Sequence, residues 1–291
     1  MTVAPFGDRL AAQFAAGRHL CAGIDPHAGL LDLWGLHDDA AGAERMGRDV
    51  VAAAAGVAAC VKPQISFFER FGAAGFAALE RVLADARAAG LLVIADAKRG
   101  DIGSTFAAYA EAWLSPGSPL ESDALTVSPY MGVGMLDDAD TAVREHGKGL
   151  FVLAATSNAE ARPVQTAVRA DGRTVAAAMV DEAEARNRAA DARAAVGTTG
   201  VVLGATLRLA DFGIDRHRAE GGPALPVLAP GFGHQGAQIE DAREIFGGLG
   251  RALLANESRS ILSGGPGGIA TRVEERAAKI AAALHNEKGL A

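Results

Sequence analysis

Asp96, Lys98 and Asp101 lie in a DxKxxD run, Ala95-Asp96-Ala97-Lys98-Arg99-Gly100-Asp101-Ile102-Gly103-Ser104-Thr105, in which two acids flank one amine. Directly before it, Leu91-Leu92-Val93-Ile94 is an apolar, partly β-branched stretch after a glycine, which reads as a buried strand. The charges are therefore expected to begin where that strand ends. Alternation along an extended chain points Asp96 and Lys98 the same way, while Asp101 follows Gly100 on a loop that can leave the strand axis. Charges at the rim of a core are costly unless paired, and an acid-base-acid alternation keeps all three ionised. Such a group can hold a proton and deliver it. A solvated loop with ordinary surface ion pairs would show the same spacing, so the remainder of the chain has to decide.

Lysine usage supports the chemical reading. The chain has five lysines, Lys62, Lys98, Lys148, Lys279 and Lys288, and takes the rest of its positive charge from arginine. Lys62 closes the apolar run Val57-Ala58-Ala59-Cys60-Val61, much as Lys98 follows the apolar run before it. A chain that largely avoids lysine yet places it twice at a core edge is using an amine for what arginine cannot do, which is to release a proton.

Composition narrows the partners. A net charge of −7 gives no footprint for nucleic acid or for an anionic membrane. With 49% hydrophobic and 22% charged residues, the 291-residue chain can bury a substantial core. No positively charged apolar leader is evident, and charges break every apolar stretch well short of a membrane span, so a cytoplasmic location is expected. Cys21 and Cys60 each lie in an apolar run and read as buried free thiols.

The elements that must position the charges alternate regularly. Apolar runs predict strands over His19–Ile24, Val57–Val61, Leu91–Asp96 with Asp96 closing the strand, Ala124–Val127, Gly149–Ala155, Gly200–Gly204, Pro226–Ala229 and Ala252–Ala255. Helical patterns lie over Asp8–Ala16, Ala43–Ala55, Gly75–Ala89, Val175–Ala195, Ile239–Phe246 and Thr271–Leu284. Eight such repeats predict a closed (β/α)8 barrel, an α/β fold, built as a single domain over residues 1–291 with insertions after strands one and five. In such a barrel the site lies at the C-terminal strand ends, which here deliver Asp25, Lys62, Asp96 with Lys98, Ser128, Ser157, Gly204, Pro230 and Ser258-Arg259. The opposite strand ends are mostly Gly, Ala and apolar residues. Scattered surface charge would not respect that asymmetry.

A phosphate site is expected on one side of this mouth. Pro230-Gly231-Phe232-Gly233-His234-Gln235-Gly236 follows strand seven, and Ser258-Arg259-Ser260-Ile261 follows strand eight. Glycines let backbone N–H groups converge on an anion, and a guanidinium offers bidentate donors to a phosphate dianion. Gly264-Gly265-Pro266-Gly267-Gly268 reads instead as a turn launching the last helix, and His234 has no second ligand or acidic orienter beside it. The remaining histidines read as surface residues.

Together these segments resemble the orotidine 5′-phosphate decarboxylase family in its longer bacterial form. The matches are Gly23-Ile24-Asp25-Pro26, Lys62-Pro63-Gln64, the run Asp96 to Thr105, Thr156-Ser157-Asn158, Pro230 to Gly236, and Ser258 to Ile261. They follow the family's order across essentially the whole chain, with only Glu160 to Arg173 left unmatched. The resemblance implies cofactor-free decarboxylation of orotidine 5′-monophosphate to uridine 5′-monophosphate. It implies a charged network of Lys62, Asp96, Lys98 and Asp101, with Lys98 protonating C6. It also implies a homodimer in which Asp101, Ile102 and Thr105 act in the neighbouring subunit's site. Asp25 and Lys62 would hold ribose hydroxyls and Ser157 would face the pyrimidine. Gln235 would bridge base and phosphate, and Arg259 would grip the phosphate with backbone near Pro230, Gly233 and Ser258.

Three other readings compete. A related barrel with the same DxKxxD run uses Mg2+ on sugar phosphates, but it needs a carboxylate where this chain has Lys62, and an amine there repels the metal. Two strand-end lysines also suit a Schiff-base aldolase. A catalytically silent nucleotide-phosphate binder is the non-enzymatic alternative, and it has no evident need for a Lys-Asp-Lys-Asp set.

Overall fold

The computed structural model describes residues 3–217 and 221–285. Its centre is a closed barrel of eight parallel strands in sequential order. The strands are β1 (Leu20–Ile24), β2 (Cys60–Pro63), β3 (Leu92–Arg99), β4 (Ala124–Val127), β5 (Gly149–Ala155), β6 (Thr199–Leu203), β7 (Val227–Pro230) and β8 (Leu253–Glu257). Nearly every strand residue is buried, as a parallel sheet covered on its outer face by helices requires. Alternate residues divide into two sets. Cys21, Cys60, Ile94, Ala124, Phe151, Leu228 and Leu254 pack together in the barrel interior. Their neighbours Ala22, Val61, Val93, Leu125, Val152, Val227 and Leu253 face the surrounding helices. Both cysteines are free and buried, as expected.

The helix Phe6–Ala15 closes the N-terminal end of the barrel. Phe6 is fully buried and meets Phe151 edge to face, with centroids 6.0 Å apart. Gly149 is required there, because a Cβ on it would collide with the Phe6 ring.

The structure corrects several boundaries. β2 starts at Cys60, because Ala55–Val57 form a turn after the preceding helix, so Lys62 lies inside the strand. β3 runs on past Asp96, where the strand was expected to end, to Arg99, so Lys98 is a strand residue as well. The helix Gly103–Leu114 escaped the sequence reading because it is apolar almost all round, which hides the buried stripe of Phe106, Ala110, Trp113 and Leu114. The region Ile239–Phe246 divides into a 3-10 turn, Ile239–Asp241, and a short helix, Ala242–Phe246.

Extra segments follow β1 and β5. After β1, His27 caps the short helix Ala28–Leu33, which precedes Ala40–Ala54. After β5, a 3-10 turn at Ala159–Ala161, a helical turn at Arg162–Gln165 and a bridge between Val168 and Thr174 lead into Val175–Asp191. The glycine run Gly264–Gly268 is a turn, as expected, and the Arg272 guanidinium donates to the carbonyls of Ile261, Gly265 and Gly267 around it. Among the described residues no helix is long and apolar enough to cross a membrane.

Candidate active site

Neighbouring strands bring the central charges together. Lys62 Nζ, from β2, donates to Asp96 Oδ2 at 2.6 Å, and Lys98 Nζ donates to Asp96 Oδ1 at 2.6 Å. Asp96 is 8% exposed and Lys62 5%, whereas the Lys98 side chain is 43% exposed. One lysine is thus part of the floor and the other reaches into the mouth.

Burial alone would lower the Lys62 pKa, but the charges of Asp96 and then Asp25 outweigh it and hold it above the ordinary lysine value. Burial would likewise raise Asp96, and Lys62 and Lys98 reverse that, holding its carboxyl far below the usual range. Both groups are ionised at neutral pH.

Two residues that the sequence reading gave no role complete the arrangement. Thr126, fully buried on β4, donates its hydroxyl to Asp96 Oδ1 at 3.0 Å and accepts the Lys98 backbone N–H at 3.0 Å. Gln64, just after β2, donates to the Asp96 carbonyl at 3.3 Å and accepts from Lys98 Nζ at 3.4 Å. Gln64 stood in the matched motif; Thr126 carried no signal, since a threonine in an apolar strand is ordinary.

Lys98 has φ 50, making it the sole non-glycine residue with positive φ among those described. A left-handed lysine costs about 1–2 kcal/mol. Such a conformation persists where the surroundings over-determine it, and it clusters at functional sites.

Asp25 follows β1. Its Oδ1 is buried without a hydrogen-bond partner, and so is Ser258 Oγ, after β8. The two segments are closely apposed, since a Cβ on Gly23 would lie 2.8 Å from Ser258 Cβ. Leaving a buried polar atom unpaired costs about 1–3 kcal/mol, which marks both atoms as suited to a ligand's polar groups.

The phosphate-side loop is compact. Gly231, Gly233 and Gly236 all have positive φ, and a Cβ on Gly233 would strike Ser260 Oγ. The Gly233 N–H is donated to Ala237 O at 2.9 Å and His234 N–H to Ser260 Oγ at 3.3 Å. Beneath the loop, Arg276 holds the fully buried Glu257 carboxylate through two bonds of 2.7 and 2.5 Å. Gln235 and Arg259 are exposed, and among the described residues no carboxylate pairs with the Arg259 guanidinium. The helical turn Arg259–Leu262 has no side-chain cap on its first N–H groups.

Ser157 is exposed at the end of β5. The Gln165 amide fixes its neighbour by accepting from Thr156 N at 3.0 Å and donating to Thr156 Oγ1 at 2.9 Å. The unmatched Glu160–Arg173 stretch therefore braces this loop.

Other expected residues lie apart from the charged centre. Asp101 accepts from the Ile102 backbone at 2.9 Å, Ile102 is 60% exposed, and Thr105 is exposed on the following helix. None of them bonds to Lys62, Asp96 or Lys98 of the same chain. Two lesser expectations are corrected. His19 is buried rather than on the surface, and Lys148 is a third core-edge lysine, paired with Glu121 at 2.7 Å at the start of β5. A cleft of about 710 Å3 between residues 205–217 and Asp241, Glu244 and Ile245 contains none of the strand-end charges. Among the described residues no group of three His, Cys, Asp or Glu side chains is arranged to hold a metal ion.

Residues 18–266 match the model of the family described as Orotidine 5′-phosphate decarboxylase / HUMPS family. The chain belongs to this family. An orotidine 5′-phosphate decarboxylase from Streptomyces coelicolor is 52% identical over 262 residues, covering 90% of this chain and 91% of the relative. One from a Nocardioides species is also 52% identical, over 89% of this chain and 92% of the relative. Among solved structures, a Streptomyces avermitilis protein assigned to orotidine 5′-phosphate decarboxylase has 50% identity and a TM-score of 0.90, covering 98% of this chain and 97% of its own. The Leishmania donovani OMP decarboxylase has 30% identity and a TM-score of 0.74, over 97% and 99%. The solved relatives share the barrel over nearly the whole chain.

Proposed function

We propose roles for the site residues in the reaction this chain catalyses, the decarboxylation of orotidine 5′-monophosphate to uridine 5′-monophosphate and carbon dioxide, the last step of UMP synthesis. The observation that carries the assignment is the pair of lysines on one buried carboxylate, with the more exposed amine facing the mouth.

Loss of carbon dioxide from C6 leaves an electron pair in the plane of the pyrimidine ring, with no adjacent electron sink. A fixed cation that is also a proton donor stabilises that charge and then removes it. Lys98 takes this role: its ammonium gives a proton to C6 as the C6–carboxylate bond breaks, and the resulting amine recovers a proton from water. Asp96 holds Lys98 in place and lies beside the departing carboxylate. Because Asp96 is already shared by two ammonium groups, it remains an anion throughout. Lys62 and Asp25 bind the ribose hydroxyls, which satisfies the unpaired Asp25 Oδ1.

Arg259 grips the phosphate with Ser258 and backbone of the loop from Pro230. For its N–H to join them, Gly233 must give up the bond to Ala237. Gln235 spans phosphate and base, and Ser157 faces the pyrimidine. The phosphate lies remote from C6, so its binding energy serves to order these loops and to exclude water.

The reading includes a homodimer. The partner subunit's Asp101, Ile102 and Thr105 reach this chain's site, an arrangement supported by the exposure of Ile102 (60%), Tyr130 (89%) and Met131 (52%) after adjacent strands. Residues 1–291 are read as one domain, working in the cytoplasm without a cofactor. Against the Mg2+-dependent alternative, the Lys62 ammonium lies 2.6 Å from Asp96 Oδ2, where it would repel a divalent cation.

The test is the ultraviolet absorbance of orotidine 5′-monophosphate mixed with enzyme in EDTA. We expect rapid loss of the orotate chromophore with the natural chain. Lys98→Ala should turn over at least about 100-fold more slowly while still binding uridine 5′-monophosphate. Near-normal turnover by Lys98→Ala would overturn its role as proton donor.

A further inference from the structure

We propose that Thr126 is a positioning residue for the decarboxylation, acting through Lys98 and Asp96 without touching substrate. The inference rests on the roles given above to those two residues.

Ala95 pairs with Leu125 and Arg99 pairs with Val127, so Asp96, Ala97 and Lys98 of β3 stand opposite the single residue Thr126 of β4. Backbone pairing resumes beyond the bulge, where Ser128 N donates to Arg99 O at 2.8 Å. A bulge of this kind re-aims side chains and leaves backbone groups without their ladder partners. Here the Thr126 side chain stands in for the missing partner by accepting the Lys98 N–H at 3.0 Å. This bond holds Lys98 at φ 50, the conformation that turns its amine back onto Asp96 two residues earlier.

The hydroxyl has one proton. Its two acceptors are Asp96 Oδ1 at 3.0 Å and Ala95 O at 3.5 Å, and the nearer one is ionised. The proton therefore goes to Asp96 Oδ1, the same oxygen that Lys98 Nζ contacts. Thr126 thus fixes the lysine at its backbone and the carboxylate at the oxygen the lysine uses. A valine of the same shape can do neither. Full burial excludes any direct contact with solvent, so the residue has no surface role.

The test compares Thr126→Val with Thr126→Ser. Thr126→Val should lower kcat on the order of 10- to 100-fold through misplacement of the reacting groups. KM for orotidine 5′-monophosphate and Kd for uridine 5′-monophosphate should change less than about threefold, since neither ligand touches Thr126. Thr126→Ser, which keeps the hydroxyl, should recover most of the lost kcat. A folded Thr126→Val with wild-type kcat would overturn the proposal. So would a parallel loss of kcat and product affinity that serine fails to restore, because that pattern marks a general packing role. Should valine prevent folding, Thr126→Cys, similar in size with only a weak donor, takes its place under the same criteria. Lys98→Ala separates the two levels of argument: if it is active, the reading of Lys98 fails, whereas an inactive Lys98→Ala beside a fully active Thr126→Val removes only Thr126.

Discussion

Lys62 and Lys98 bind opposite oxygens of the one Asp96 carboxylate, each at 2.6 Å. The anion is shared by two unequal lysines: Lys62 is almost fully buried, whereas the Lys98 side chain is 43% exposed at the mouth. Asp96→Asn would leave two ammonium groups around a neutral amide. Breaking a buried pair by removing one partner costs about 3–5 kcal/mol, and urea denaturation at pH 7 should show a loss of that order.

The pH course of that loss has a definite sign. Asp96 has a depressed pKa, so its contribution is present above the ordinary carboxylate value near about 4 and fades as pH falls through the lower folded value. Lys62 has a raised pKa, so its contribution is present below the ordinary value near about 10.4 and fades as pH rises through the folded one. In the natural chain the pair should therefore contribute a constant stabilisation from about pH 5 to 9, whereas in Asp96→Asn burial is free to lower the Lys62 pKa, so the stability gap between natural chain and variant should narrow toward the alkaline end of this window. A gap that widens as pH rises through this window would contradict the ionised network.

Arg259→Ala removes an exposed guanidinium that no described carboxylate engages. Stability should move by less than about 0.5 kcal/mol. A charge-assisted contact to phosphate is worth about 1.5–3 kcal/mol, so kcat/KM for the nucleotide should fall about 10- to 100-fold. Turnover of orotidine, which lacks the phosphate, should not change. Equal losses on both substrates would place Arg259 elsewhere in the mechanism.

Mixing Lys98→Ala chains with Asp101→Asn chains tests the shared site. Each mixed dimer contains one site with both natural residues, so random exchange should restore about one quarter of natural activity. Verified heterodimers without recovery would mean that Asp101 serves its own chain.

His19 sets a second pH response, at the other end of the barrel. Burial lowers its pKa, with a smaller contribution from His285, although its bond to Leu253 O works the other way. Phe14 stacks on the ring at 4.7 Å. The neutral form is favoured in the fold, so this contribution is present above about pH 6.5 and is lost as pH falls through the depressed value. Thermal melts of His19→Gln should accordingly show a shallower loss of Tm between pH 7 and 5 than the natural chain. Parallel Tm curves would show that His19 does not titrate with unfolding.

Much of this architecture was readable from sequence because a parallel barrel repeats one simple pattern. Short buried strands such as Gly149–Ala155 announce themselves as apolar runs, and the strand-end charges then fall on one rim by topology. Single residues whose role depends on a neighbouring strand were not readable. Thr126 looks like any β-branched strand residue, and its value comes from standing opposite three residues of β3. The extension of β3 to Arg99 was hidden for the same reason, since a charged sequence joins a strand only when buried partners neutralise it. Gln165 was invisible because it lies nine positions along the chain from the Thr156 backbone it braces.

Phe6, seated against Phe151 under the strands, gives the molecule the form of a well with a stopped bottom. The interior below Asp96 is filled by packed side chains, so the carbon dioxide released at C6 has no drain beneath it. Gas and nucleotide must both leave upward, through the mouth that carries the strand-end charges.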